Sequence, residues 1–392
     1  MSTNTAPRRK PWTKRLKWRL EFALYRSLER ALGLLPIQSV ALLGEVIGSL
    51  AYRCSAPHRA IVKRNLMVAQ STTAALAQPT PQEVEAVFRG SGANLLTTLV
   101  AEQIRPEQLQ DHLQVDGFDA FAAAIARGDG VVLMLAHMGN WEVLTKFTAL
   151  LEHDAPMAAL YRPLNNPLMD DLILRRREAA RMQLISARNP AFPLLKVLKK
   201  GGITSILSDQ RIGNRGEFLS FCGVPTQCSR LPYLLHEKTG AALFTVQMHT
   251  EGLAQWRLTF TPHEQGDSQV AFDSLALHMQ AAPNDCFWFQ DRWQAAPKGA
   301  EIADAEACHS PVFARKRLPF LLESEQIATE HPQIVDQLTR LYEVSYWDGI
   351  SHPDTYYGAI GYEQGSDFHR ACRKAGIKRG YQPVPKALKQ LN

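Results

Sequence analysis

The chain has 392 residues, of which 45% are apolar and 21% charged, with a formal net charge of +6. This composition excludes disordered and fibrous classes, and the length suits one large domain with an appendage or two domains. Residues 1–30 hold nine Lys/Arg against Glu21 and Glu29, so the remainder is nearly neutral and a nucleic-acid surface spread over the whole molecule is excluded.

Residues 7–30 mix these cations with Trp12, Trp18 and leucines at 16, 20 and 24, an i+4 spacing that places an apolar stripe along one helix face. Basic heads and tryptophans beside such a stripe suit the surface of an anionic leaflet. No signal peptide is expected, because the first apolar stretch follows a long basic segment with no small-residue cleavage pattern. Leu34 to Ala51 is the best candidate for a membrane span, but Pro36, Gln38 and Glu45 interrupt it. A surface-lying or partly buried helix fits better. Thr80, Pro81 and Glu83 mark a helix start with capping-box spacing, and that helix runs through Val87, Phe88, Leu95, Leu96 and Leu99.

From Gly130 the pattern changes. Val131 to Ala136 is a continuous apolar run, as expected for a strand buried on both faces. Strand-like runs follow at 157–162, 203–207, 242–249 and 256–261, separated for the most part by helical patterns that include 167–182, 191–200 and 229–239. This alternation predicts an α/β fold: a mixed, largely parallel central sheet flanked by helices on both faces, with a helical N-terminal lead-in and a C-terminal appendage. Beyond about residue 305, Pro332 to Tyr346 reads as one amphipathic helix, followed by an aromatic and Gly-rich stretch. The six cysteines (54, 222, 228, 286, 308, 372) form no CxxC pair and read as reduced cytoplasmic thiols, with no metal site expected.

The chemistry concentrates in Val131-Val-Leu-Met-Leu-Ala-His137-Met-Gly-Asn-Trp-Glu142. His137 leaves a buried strand at its carboxyl end, where open α/β sheets place their ligand crevice. Gly139 permits a tight turn, Asn140 is placed to cap the next helix, and Glu142 falls in its first turn. Across that junction Glu142 can accept a hydrogen bond from one imidazole nitrogen, leaving the other free to take a proton from an alcohol. No GxSxG elbow, Walker A loop or GxGxxG accompanies any strand.

His137-Met-Gly-Asn-Trp-Glu142 resembles the His-x4-Asp/Glu signature of the bacterial lipid A biosynthesis (lauroyl/myristoyl) acyltransferase family, within the wider lysophospholipid acyltransferase group. Further blocks match in order: Tyr161-Arg-Pro-Leu-Asn-Asn-Pro-Leu, Leu198-Lys-Lys-Gly201 with Ser208-Asp-Gln-Arg211, Phe221-Cys-Gly-Val-Pro-Thr226, and Phe287-Trp-Phe-Gln-Asp-Arg-Trp293. Arg59 to Leu66 also fits, so the likeness covers roughly residues 40–300.

The resemblance implies an O-acyltransferase with His137 as general base and Glu142 as its partner. It assigns substrate binding to Arg162 (gripping a phosphate), Asp209, Gln210 and Arg292. It implies acyl-acyl carrier protein or acyl-CoA as donor, a membrane glycolipid (a lipid A precursor foremost) as acceptor, and no cofactor, metal or nucleic acid. A basic docking patch for an acidic carrier is expected at Arg175, Arg176, Arg177 and Arg181. The expected location is peripheral or monotopic, at the cytoplasmic face of a bacterial inner membrane. Residues 1–36 would be a membrane-association segment, 37–304 the acyltransferase domain and 305–392 an extension of no legible role. The phenylalanine pair of the Phe-Phe-Gly turn is broken here by Cys222, a change expected to affect packing alone. The alternatives are a non-catalytic, membrane-associated lipid-binding or scaffold protein on the same fold, against which the intact His137/Glu142 pair counts, and an acyltransferase for a different acceptor lipid.

Overall fold

The computed structural model describes residues 11–101, 104, 106–149, 154–179, 181–212, 216–263, 267–294, 299–349, 353–377 and 381–391. Arg8, Arg9 and Lys10 of the basic leader lie outside them. Four helices open the chain: α1 (Trp12–Leu32), α2 (Ile37–Cys54), α3 (Ala56–Ala69) and α4 (Pro81–Ala101). The α4 start is the expected capping box, since the Thr80 amide donates to Glu83 Oε2 at 2.7 Å and the Glu83 amide to Thr80 Oγ1 at 3.2 Å. Those bonds hold the Glu83 carboxyl below its ordinary range, first through the Thr80 backbone amide. Helices α2 and α4 pack backbone to backbone. A Cβ at Gly44 would lie 2.5 Å from the Gly92 carbonyl oxygen, so the seam admits no side chain there.

A short turn of helix, α5 (Pro106–Leu109), leads into an alternating segment of β1 (Leu113–Asp116), α6 (Phe118–Arg127), β2 (Val131–Leu135), α7 (Val143–Ala149), β3 (Met157–Tyr161), α8 (Pro167–Ala179), β4 (Met182–Ser186), α9 (Ala191–Leu198) and β5 (Ile203–Leu207). A hairpin, β6 (Glu217–Phe221) and β7 (Val224–Cys228), precedes α10 (Leu231–Thr239), β8 (Ala242–Gly252), β9 (Gln255–His263) and α11 (Ser268–Ala281). Seven strands form one sheet in the order β1-β9-β8-β2-β5-β3-β4, parallel except where β8 meets β9. The expected mixed, largely parallel sheet with helices on both faces is therefore observed.

Central β2 explains its own apolar run. Val132 and Met134 enter one core with residues of α3, α4, α9, α10 and α11, while Val131, Leu133 and Leu135 enter a second with α6 and α7. The β6–β7 turn places Cys222 at φ 52° and Gly223 at φ 83°, both left-handed as a two-residue hairpin requires. The Cys222 carbonyl accepts from buried Lys316 Nζ at 2.5 Å.

After α12 (Gly299–Ala307) the chain builds a second, four-stranded parallel sheet. Its elements are β10 (Leu318–Leu322), α13 (Glu325–Glu330), α14 (Pro332–Thr339), β11 (Tyr342–Tyr346), β12 (Gly358–Gly361), α15 (Asp367–Lys374), β13 (Tyr381–Pro383) and α16 (Val384–Leu391), with strand order β11-β10-β12-β13. The single helix expected over Pro332–Tyr346 is corrected here. It stops at Thr339, and Tyr342, Val344 and Tyr346 alternate as an edge strand, where aromatic and β-branched residues fit a pleated surface better than a further helical turn.

Candidate functional site

β2 and β5 lie side by side with Leu135 opposite Leu207, and two residues beyond each strand stand His137 and Asp209. The imidazole Nδ1–H donates to Asp209 Oδ1 at 2.8 Å. A carboxylate only accepts, so Nδ1 carries the proton and Nε2 presents a lone pair. Gln210 Nε2 lies 3.3 Å from His137 Nε2, and Trp141 meets the ring edge-on with centroids 5.1 Å apart. Burial pulls the His137 pKa down most strongly as a single influence. Asp209, by charge and by hydrogen bond, outweighs it together with a weaker attraction from Glu142, so the imidazole titrates above the ordinary 6.5.

The backbone around the histidine is clamped. The Phe287 amide donates to the His137 carbonyl at 2.7 Å, and the Gly139 amide donates to the Asp285 carbonyl at 3.0 Å. Gly139 adopts φ 55°, and a Cβ there would collide with the Met248 carbonyl, so this turn needs glycine twice over. Asn140 does not cap the next helix as expected. Its buried amide donates to Thr97 Oγ1 at 3.2 Å and its oxygen accepts from Thr98 Oγ1 at 3.0 Å, tying the turn to α4. Helix α7 begins only at Val143, which leaves Glu142 in the turn before it.

The imidazole faces a cleft of about 590 Å³. Leu135, Leu144, Leu184 and Leu207 give it an apolar wall, Ile173 comes from α8, and Tyr25 of α1 with Thr98 of α4 closes one side. Arg162, Arg176 and Arg177 bring positive charge to the rim. Arg162 is exposed at the end of β3, whereas Arg176 pairs with Glu29 and Arg177 with Glu142.

Of the six expected site residues, the structure brings His137, Glu142, Arg162, Asp209 and Gln210 to this place and not Arg292. Two assignments change. Asp209, not Glu142, holds the imidazole, because the Glu142 carboxylate is turned to Arg177. Arg292 is buried under the hairpin, donating to Thr226 Oγ1 at 3.1 Å with its guanidinium 4.6 Å from the Phe221 ring centre, so it braces structure instead of meeting a phosphate. Trp141, to which the sequence reading gives no site role, lines the cleft. Its aromatic type and its place between His137 and Glu142 were the available signals.

A family model for bacterial lipid A biosynthesis acyltransferases matches residues 11–295. The lipid A biosynthesis palmitoleoyltransferase of Escherichia coli strain K12 is 26% identical over 275 residues, covering 68% of this chain and 88% of that protein. A phosphatidylinositol mannoside acyltransferase of Mycobacterium tuberculosis strain H37Rv is 26% identical over 192 residues, 46% of this chain and 60% of the relative. A lipid A biosynthesis acyltransferase of Haemophilus influenzae is 29% identical over 120 residues, 30% and 36% of the two chains.

Proposed function

The chain belongs to the bacterial lipid A biosynthesis acyltransferase family and is an acyltransferase; from that premise we propose that it moves a fatty acyl group from a carrier thioester to a hydroxyl of a membrane glycolipid, with a lipid A precursor as the first candidate. His137 Nε2 takes the hydroxyl proton as the oxygen attacks the thioester carbonyl. Asp209 steadies the imidazolium that results, in the role of a triad carboxylate. Gln210, the nearest neutral donor to the ring, is assigned to the developing oxyanion. Collapse of the tetrahedral adduct breaks the carbon–sulfur bond, and the imidazolium returns its proton to the departing thiolate. Arg162 binds an anionic group of donor or acceptor, and Glu142 shapes the rim by holding Arg177.

The observation that carries this reading is the 2.8 Å His137–Asp209 contact on the wall of an apolar cleft. Its test is acyl transfer from labelled acyl carrier protein into membrane lipid by His137→Ala, where undiminished product would remove His137 from the base role. Mass spectrometry of lipids from cells with and without the protein identifies the acceptor. Loss of an acyl chain from a lipid other than lipid A, such as a mannoside of the kind for which one relative is named, would redirect the acceptor assignment and leave the chemistry intact.

The proposed location is the cytoplasmic face of a bacterial inner membrane, without a span. Among the described residues no helix is long and apolar enough to cross a membrane. Instead α1 exposes Trp12, Leu16, Leu20 and Leu24 in one row, and α2 exposes Leu42, Val46 and Leu50. Lys14, Arg15, Lys17 and Arg19 accompany the α1 row, which gives the mixture of apolar face and cations that an anionic leaflet attracts. Because Tyr25 of the same helix lines the cleft, a leaflet bound along α1 would bring lipid to the cleft mouth.

A further inference from the structure

Of the expected docking patch, Arg175 pairs with Asp171, Arg176 with Glu29 and Arg177 with Glu142, which leaves only exposed Arg181 without a carboxylate partner among the described residues. A denser run of unpaired positive charge follows it in the chain. From Ser186 to Ser208 the chain holds Arg188, Lys196, Lys199 and Lys200 and no Asp or Glu. All four cations are exposed, and none pairs with a carboxylate of the described residues. Among them stands Phe192, 66% exposed, with Lys196 Nζ 4.6 Å from its ring centre. An aromatic ring left in water forgoes the gain of burial, and aromatic side chains are enriched among the residues that anchor interfaces.

The strip occupies a defined place. The Ala187 amide donates to the Tyr161 carbonyl at 3.0 Å, setting Arg188 beside the start of the Arg162 loop at the carboxyl edge of the sheet, the edge from which His137 and Asp209 emerge. Helix α8 steps outward from β3 to β4, whereas α9 returns from β4 past β3 to β5. Parallel crossovers are right-handed, so that reversal puts α9 on the opposite face from α8. Packing agrees: Leu194, Val197 and Leu198 join Val132 and Met134 in one core, whereas Leu135, Leu144 and Ile173 line the cleft on the other side. Helix α1, which carries the bare apolar row, packs against α8 on the cleft side. A lipid surface at α1 and a partner at α9 would thus approach from different sides.

We propose that Arg188, Phe192 and Lys196, with Lys199 and Lys200 behind them, form the docking surface for an acidic carrier protein that delivers the acyl thioester. This rests on the acyl-transfer reading above. Three strand spacings separate the end of β4 from that of β2, about 14 Å, a gap for a flexible thioester arm laid over the sheet edge to cross.

The test compares two donors, an acyl-loaded acidic carrier protein and the corresponding acyl-CoA, in the full chain carrying Arg188→Glu with Lys196→Glu, and separately Phe192→Ala. The expected result is a rise of about tenfold or more in KM for the carrier, with kcat and the KM for acyl-CoA unchanged and the salt dependence of carrier use lost. An unaltered carrier KM overturns the proposal, as do equal losses with both donors or a wild-type protein that uses acyl-CoA alone. Loss of binding to anionic phospholipid vesicles with carrier KM intact would also overturn it and assign the strip to a lipid surface. Failure of the wild-type chain to transfer from either donor would instead sink the acyl-transfer reading, so the two failures are distinguishable.

Discussion

An imidazole buried beside a carboxylate is pulled in opposite directions, and at His137 the carboxylate prevails. With His137 as the proposed base, the raised pKa should set the acidic limb of kcat/KM above pH 6.5, since only the neutral ring accepts a proton. Asp209→Asn removes the main favourable charge, so the limb should move to lower pH while the rate falls by about 10²–10⁴-fold through lost orientation and imidazolium stabilisation. A pH–rate profile with an unmoved limb would refute the assignment. Glu142→Gln should move the limb less, because that carboxylate acts on the ring only through space and is held by Arg177. The same linkage governs stability. The contribution of the His137–Asp209 pair is fully present below the unfolded-state pKa and is lost as pH rises through the folded one, so the neutral form that the proposed base role requires is the less stable.

The glycines of the α2–α4 seam act at the scale of the element. Gly44, Gly48 and Gly92 bring two helices into backbone contact, and Gly92→Val would drive methyl groups into the Gly44 carbonyl. Destabilisation of about 1–3 kcal/mol is expected, read from urea denaturation, and an unchanged midpoint would mean that the helices separate freely. On α1 the expectation concerns the membrane. Leu20→Glu with Leu24→Glu removes two exposed anchors, and vesicle partitioning should fall by about 10²-fold, measured by flotation. Unchanged flotation would detach the row from membrane binding.

Elements of this kind were legible because their periods are unmixed: the i+4 row of α1, the capping box of α4 and the apolar β2 each follow from local rules. The His137–Asp209 pairing was not legible, since 72 residues separate the two and only the β2–β5 register, Leu135 opposite Leu207, brings them together. Glu142 was the nearer carboxylate in sequence and the farther in bonding. Arg292 misled for a related reason. A guanidinium suits phosphate, but it also satisfies buried hairpin groups, and burial is a tertiary property. The second sheet is not legible in the sequence because its short strands alternate with helices of eight residues or fewer, too brief for a period to stand out.

Across the whole molecule, the second sheet is continuous with the first core: Leu318, Phe320, Ile334 and Ile360 pack in the same cluster as Val132 and Met134. Arg64 of α3 is the polar link. Fully buried, its guanidinium meets Asp291 Oδ2 at 3.2 Å and the Ala375 carbonyl at 2.8 Å, and its own carbonyl accepts from the Tyr357 hydroxyl. Burial pushes the Asp291 carboxyl up, with Arg64 opposing that rise. Asp291 lies four residues after Phe287, which clamps the His137 backbone, so one buried ion pair joins α3 to the segment that holds the His137 turn, and the tail reaches that pair through the Ala375 carbonyl and the Tyr357 hydroxyl. Arg64→Met takes from the buried Asp291 carboxyl its main counter-charge and leaves only the weaker pull of Arg211, which costs about 3–5 kcal/mol. Arg64→Met with Asp291→Leu removes both charges and should recover part of that loss, whereas strictly additive losses in the double variant, followed by denaturant unfolding, would show that the pair is not coupled. If this link matters to chemistry, Arg64→Met should also lower kcat more than it raises KM at temperatures where the variant remains folded, because His137 loses its position and the cleft does not lose its lining.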